Sequence, residues 1–278
     1  MSAFKTIFVG AAVACASLAW SQGAPQGELK GSAYEHTSAS AIGVVQRAAL
    51  VLPASVTGGA PFVGTFGDAP RDARARVPVV VFLHGSSGLA LKAIADWQLW
   101  LASLGVASIA PDSFALPDRV TYTSPVSKEV YERIHALRYT EIELAVAALK
   151  TAPWADTSRM VLAGASEGAT AVARYRGSEF IGKMIYSWSC EDNYFVQAHG
   201  TAIAPDQPVL NVMSSTDIYF SPSNPWLGNP NAKGHCADAL KGHKAATIVL
   251  ILGAPHTLLN LPAARHATQG FLSDTLGL

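Results

Sequence analysis

Three residue types that together perform nucleophilic catalysis occur along the chain in the order Ser166, Asp217, His256. A serine hydroxyl is a poor nucleophile until a base accepts its proton and a carboxylate holds that base in the correct tautomer. Ser166 is the centre of Gly164-Ala165-Ser166-Glu167-Gly168, which follows an apolar run and precedes an alanine-rich one. This G-x-S-x-G pattern predicts a strand, a cramped turn with small flanking residues, and a helix whose first N–H, that of Glu167, can stabilise an oxyanion.

The acid and the base are predicted from their positions after strands. Asp217 closely follows the apolar run 209–213, and His256 follows the run 248–253. In an open parallel sheet, reacting groups gather outside the carboxyl ends of the strands, so both residues would be delivered to the Ser166 turn. Asp192 also follows a strand and is the alternative acid.

A glycine-rich segment after another strand supplies a second oxyanion donor. The apolar run 77–83 leads into His84-Gly85-Ser86-Ser87-Gly88. A strand that ends in such a loop exposes backbone N–H groups, and we expect the N–H of Ser86 to face the substrate oxygen. His84 is interpreted as a structural residue that braces the loop, and not as the catalytic base.

Strands alternate with helices over most of the chain, which predicts an α/β fold: a mainly parallel sheet with helices on both faces. The predicted strands cover 44–53, 61–66, 77–84, 106–110, 160–163, 183–188, 208–214 and 246–252, and the predicted helices cover 89–104, 128–150 and 261–276. A length of 278 residues fits one large domain, which we place at 36–278. Within the long helix, Arg138 and Glu141 lie one turn apart and are expected to form a surface pair.

The N-terminal segment has the layout of a secretory signal peptide. A lysine at position 5 precedes the apolar or small run 6–20, and small residues precede Gln22. We expect residues 1–21 to be removed by cleavage after Ser21, residues 22–35 to form a tether, and the protein to be secreted or periplasmic. The run is short for a stable membrane span.

Cysteine content agrees with export. Loss of Cys15 with the signal peptide would leave Cys190 and Cys236, an even number in an oxidising compartment. We predict that they form a disulfide, with two separate buried thiols as the alternative.

The motifs together resemble those of α/β hydrolases of the dienelactone hydrolase-like group. The resemblance runs from about residue 77 to the C-terminus through H-G-S-S-G, A-P-D, G-A-S-E-G, the Thr-Asp after a strand and the Pro-His-Thr near the end. It implies the α/β-hydrolase fold and ester hydrolysis. Dienelactone hydrolases place a cysteine at the nucleophile, whereas position 166 is serine, so the resemblance supports a serine esterase and not action on dienelactone itself.

Substrate and partners are only partly indicated. Four aromatic residues are expected to line a pocket over the serine: Phe114, Tyr219, Phe220 and Trp226. The formal net charge is zero, with no basic runs, which argues against nucleic acid as a partner. A small-molecule ester is the expected substrate, and the chemistry needs neither metal nor organic cofactor. A peptidase or amidase of the same fold and a non-catalytic binding protein are the alternatives.

Overall fold

The structure, a computed structural model, describes residues 25–278. Its strands are β1 Leu29–Lys30, β2 Ala49–Leu52, β3 Phe62–Thr65, β4 Val77–Leu83, β5 Ala107–Ala110, β6 Thr121–Tyr122, β7 Ala155–Ala165, β8 Gly182–Tyr186, β9 Val209–Ser214 and β10 Ala246–Ile251. Its helices are α1 Ser38–Gln46, α2 Ala54–Thr57, α3 Lys92–Ser103, α4 Lys128–Leu149, α5 Glu167–Arg174 and α6 Pro262–Leu276.

Eight strands form one twisted sheet in the order β10-β9-β8-β7-β4-β5-β2-β3. The six strands from β10 to β5 run parallel, whereas β2 is antiparallel to both β5 and β3. Strands β4, β7, β9 and β10 therefore end at one edge of the sheet, where the segments that carry Ser86, Ser166, Asp217 and His256 begin. The predicted parallel sheet is confirmed.

The sheet is covered on both faces, and β4 shows how its sequence achieves this. Val79, Val81 and Leu83 pack into a core that includes residues of α4 and α5, while Val80 and Phe82 pack into a second core with residues of α3 and α6. Successive strand residues point to opposite faces, so a continuously apolar strand is buried on both sides.

The N-terminal part of the described chain lies along the domain. The sequence predicts a tether over 22–35, but Leu29–Lys30 pairs with Thr121–Tyr122, and Ser32 Oγ donates to Asp118 Oδ2 at 2.6 Å. The predicted strand over 44–53 is shorter, because α1 occupies its first residues. Thr37 Oγ1 caps that helix by accepting the N–H of Ser40.

Two expectations concern the N-terminus and membranes. The predicted signal peptide, residues 1–21, lies outside the described residues. None of the helices within residues 25–278 combines the length and apolar character that crossing a bilayer requires.

Candidate active site

Ser166 lies at the sharp turn between β7 and α5. Its backbone has φ 54° and ψ −120°, a conformation that residues with a side chain rarely adopt. The turn is held by a hydrogen bond from the Ser166 N–H to Tyr186 O at 2.9 Å. A Cβ on Gly164 would lie 2.8 Å from the backbone of Gly168, and one on Gly168 would lie 2.3 Å from Leu83 O. Both glycines are therefore required by close backbone approach, as the motif predicts.

Asp217 and His256 are in contact although 39 residues separate them. Asp217 is fully buried; its Oδ1 accepts the N–H groups of Tyr219 and Phe220, and its Oδ2 lies 2.7 Å from His256 Nδ1. A carboxylate accepts only, so Nδ1 carries the proton in this contact and Nε2 is left as the acceptor.

The histidine is also fixed from its other sides. Ser187 Oγ donates to His256 O at 2.6 Å, and the His256 ring packs edge-on against Tyr219 with ring centroids 4.7 Å apart. The side chain remains 19% exposed, so the ring is oriented but accessible.

Ser166 and His256 line the same cavity of about 380 Å³, together with Gly85 and Ser86. The two catalytic candidates thus share one space, although within residues 25–278 no hydrogen bond joins Ser166 Oγ to His256. Gly85 lies beside the serine, since a Cβ on it would stand 3.3 Å from Ser166 Cβ, and the N–H groups of the next residue, Ser86, and of Glu167 stay the predicted oxyanion donors.

His84 braces the loop that carries Ser86. Its Nδ1 donates to Gly85 O at 2.7 Å, and its Nε2 faces the N–H of Ser113 at 3.3 Å and Arg138 Nη1 at 3.2 Å. Complete burial and the nearby Arg138 charge hold the pKa of His84 well below its ordinary value. A neutral histidine that accepts two donors at Nε2 is a structural residue.

Comparison with known proteins agrees with this architecture. No protein-family model and no curated protein matches the chain. Solved structures do. A Klebsiella pneumoniae protein assigned as a dienelactone hydrolase superposes with a TM-score of 0.54 at 16% identity, covering 75% of this chain and 90% of the other. The fold is that of an α/β hydrolase.

Two further structures with this α/β-hydrolase fold are similar. A cold-adapted esterase from an Arctic intertidal metagenomic library gives a TM-score of 0.52 at 15% identity, covering 73% of this chain and 84% of that one. A dienelactone hydrolase-like promiscuous phosphotriesterase from metagenomic libraries gives 0.51 at 17% identity, covering 78% and 91%. At these identities the likeness concerns the fold.

The aromatic residues predicted for the pocket fall into two pairs. Tyr219 and Phe220 line the cavity. Phe114 is not among the residues that line it: its ring stacks on that of His84 with centroids 5.9 Å apart, and it borders a separate cavity together with Gly88 and Asp112. Trp226 packs edge-on against Tyr194 with centroids 4.6 Å apart and so lies behind the wall. The structure corrects these two assignments.

Several lining residues were missed by sequence reasoning. Tyr194 and Phe195 form the aromatic wall with the predicted pair, and Thr123 and Ser124 add hydroxyl groups. Tyr194 and Phe195 follow Cys190 closely, so the predicted disulfide was the available signal that this segment borders the site. The structure joins Cys190 and Cys236 by a disulfide.

The alternative acid lies elsewhere. Asp192 Oδ1 pairs with His199 Nδ1 at 2.7 Å, and both side chains are 56% exposed. Asp217, by contrast, is buried and contacts His256, so the geometry favours it as the acid.

The carboxylate of Glu167 enters a buried charge cluster beneath the serine. Its Oε1 accepts from Arg119 Nη2 at 2.6 Å and lies 3.6 Å from Arg138 Nε. Arg138 Nη1 also lies 2.9 Å from Glu141 Oε2, and both side chains are fully buried. The sequence-based expectation that Arg138 and Glu141 form a surface pair is therefore wrong, because this face of α4 packs against the turn between β7 and α5 that carries Ser166 (the elbow) and not against solvent.

The protonation of Glu167 follows from its partners. Complete burial alone would raise the pKa of Glu167, but the charges of Arg119 and Arg138 and a hydrogen bond from Tyr122 together lower it. The carboxyl group is therefore ionised, and the cluster of Arg119, Arg138, Glu141 and Glu167 contains two opposite pairs of charges.

Proposed function

We propose that the protein is a serine hydrolase that cleaves carboxylic esters through Ser166, His256 and Asp217. The observation that carries the proposal is that a serine on a strained strand-to-helix turn and a histidine held by a buried aspartate line one cavity. This combination is what acyl transfer by a serine requires.

The reaction runs in two halves. Ser166 Oγ attacks the acyl carbon while His256 Nε2 accepts its proton, and the N–H groups of Ser86 and Glu167 stabilise the oxyanion. Collapse of this intermediate releases the alcohol, which takes the proton from His256 and leaves an ester on Ser166. Water then attacks that ester, its proton passes to His256, and the acid is released as Ser166 regains its hydrogen.

Covalent labelling tests the nucleophile directly. A fluorophosphonate should add to Ser166, and peptide mass mapping should locate the adduct there. The Ser166→Ala variant should lose labelling and at least about a thousandfold in turnover of short 4-nitrophenyl esters. Ser178→Ala, which changes an exposed loop serine, is the matched control and should retain both the labelling of Ser166 and the wild-type turnover. Full activity of Ser166→Ala would refute the assignment.

The rival functions have distinct outcomes in the same experiments. Turnover of a peptide or anilide panel at rates similar to those of the esters would favour a peptidase or amidase. A folded protein that neither labels nor turns over any substrate would favour a non-catalytic binding protein.

We also propose that the protein is exported. The support is the sequence of residues 1–21 and a disulfide, which forms and persists in oxidising compartments. Mass spectrometry of the protein from its native host should find Gln22 at the N-terminus; an intact Met1 would contradict the proposal.

A further inference from the structure

The cavity at the serine has no charged wall. Among the residues within 25–278 that line it, none is arginine, lysine, aspartate or glutamate; the polar groups are hydroxyls, backbone groups and His256. A carboxylate that enters such a space loses its hydration without gaining a cation, which strongly disfavours its ionised form. The lining therefore fits an uncharged molecule.

Two arginines nevertheless lie close beneath the serine. Arg119 and Arg138 have side chains that are 1% and 0% exposed, and both contact the carboxylate of Glu167, the residue directly after the nucleophile. Arg138 has a second carboxylate partner in Glu141. Their remaining hydrogen bonds go to Ser113, to His84 Nε2 and to backbone oxygens, and neither arginine is among the residues that line the cavity.

One side chain connects this cluster with the cavity. Tyr122 lines the cavity, and its hydroxyl donates to Glu167 Oε2 at 3.0 Å. Because Glu167 also shares the elbow with Ser166, a change of its charge acts within a few bonds of the reacting atoms. Where side chains are this deeply buried, such a charge is weakly screened.

We propose that the site selects uncharged esters over esters that bear a free carboxylate, and that Glu167 determines this selectivity by retaining Arg119 and Arg138 in ion pairs below the cavity. The inference rests on the proposed ester hydrolysis and names its substrate class. The backbone N–H of Glu167 and its side chain thus have separate roles: the first in the oxyanion site, the second in specificity.

A matched pair of aryl acetates tests the first half of the proposal. 4-Acetoxybenzoate carries a carboxylate, and 4-acetoxybenzamide replaces it with a neutral amide of the same shape. Each kcat/KM is divided by the rate of hydroxide-catalysed hydrolysis of the same ester, which corrects for the leaving group. We expect the wild-type full chain to prefer the amide by about 30-fold or more. Equal corrected values would overturn the proposal.

The variant Glu167→Gln tests the second half. The substitution leaves the cluster with one excess positive charge, which should favour the carboxylate-bearing ester. The ratio of corrected kcat/KM values, 4-acetoxybenzamide over 4-acetoxybenzoate, should therefore fall by roughly fivefold or more, whatever the change in absolute rate. Glu132→Gln is the matched control: it removes the carboxylate that pairs with Arg174 on the outer part of α4, and the ratio should stay at its wild-type value. An unchanged ratio in Glu167→Gln would refute the role of Glu167.

Labelling of Ser166 and the rates of the two esters together distinguish a failure of the proposed selectivity from a failure of the proposed ester hydrolysis. If the wild type hydrolyses neither ester and Ser166 is not labelled, the proposed function fails. If Ser166 labels and both esters react equally, only the selectivity fails. Should Glu167→Gln not fold, Glu141→Gln leaves Arg138 without its second carboxylate, and the same narrowing is expected; an unchanged ratio there would contradict the proposal.

Discussion

Ser166 has a backbone conformation whose cost must be offset by its surroundings. A non-glycine residue in such a region costs of the order of 1–3 kcal/mol. The offset is visible in the hydrogen bond from the Ser166 N–H to Tyr186 O and in the close packing of Gly164 on Gly168. This strain aims the hydroxyl into the cavity that His256 also lines.

At the same scale, Asp217 determines the tautomer of His256. In Asp217→Asn the amide oxygen can still accept from Tyr219 and Phe220, so the NH₂ group would face His256 Nδ1. Nδ1 would then become the acceptor and Nε2 would carry the proton, leaving no base for Ser166. We expect kcat for 4-nitrophenyl butyrate to fall about 10³- to 10⁴-fold with an unchanged fold by circular dichroism.

Asp206→Asn, at an exposed loop position, is the control for this substitution and should retain wild-type kcat. If Asp217→Asn were as active as the wild type, Asp217 would not be the catalytic acid, and Asp192 would be the next position to substitute.

At the scale of elements, α5 carries the elbow and is tied to α4 at its far end. Arg174 Nη1 of α5 donates to Glu132 Oε2 of α4 at 2.7 Å, and Glu132 Oε1 also accepts the N–H of Gln197 at 2.8 Å. Partial burial alone would raise the pKa of Glu132, but His135, Arg174 and Gln197 lower it from 4.5 to about 2. The ionised carboxylate therefore favours the folded state.

This linkage predicts a pH-dependent effect of Glu132→Gln. Because the folded-state pKa lies below the unfolded value, the stabilisation is present above about pH 4.5 and is lost as the pH falls through 2. With allowance for solvent screening at this half-buried site, Glu132→Gln should lower the free energy of unfolding by about 1 kcal/mol at pH 7. The difference from wild type should shrink steadily between pH 5 and 2 in urea unfolding curves.

Glu143→Gln, at an exposed position of the same helix, provides the control and should show a small difference that does not depend on pH. A constant destabilisation by Glu132→Gln down to pH 2 would mean that the lost interaction is not the ionised pair.

The sequence predicts the elements that hold the site better than it predicts which face they bury. Buried strands such as β4 and β9 are continuous apolar runs, and the G-x-S-x-G turn involves only neighbouring residues. Both can therefore be predicted from the sequence alone. The strand predicted over 44–53 fails at its start because the cap that Thr37 makes with Ser40 outweighs the apolar residues after it. The buried ion pairs of Glu167 were not predictable, because its partners Arg119 and Arg138 come from distant parts of the chain.

At the scale of the whole molecule, the cavity is assembled from segments that the sheet brings to one edge, and a disulfide joins the two ends of the segment that carries its aromatic wall. Cys190 follows β8 and Cys236 precedes β10, and their disulfide spans 46 residues. Asp217 and the four wall aromatics Tyr194, Phe195, Tyr219 and Phe220 all lie between the two cysteines. The bridge therefore closes a loop that contains both Asp217 and the aromatic wall.

Loss of this bridge should affect stability and substrate binding together. A disulfide that closes a loop of this length removes enough unfolded-state entropy to stabilise the fold by about 3–4 kcal/mol. In the double variant Cys190→Ala/Cys236→Ala we expect a loss of that size in urea unfolding. KM should rise more than kcat falls, because the wall loosens while Ser166, on β7 and α5, is held independently.

Dithiothreitol in the unfolding series should destabilise the wild type by a similar amount but leave the double variant unchanged, since it has no bridge to reduce. Two free thiols in wild-type protein purified without reductant would contradict the bridge, and a double variant with wild-type KM would show that the wall is held by packing alone.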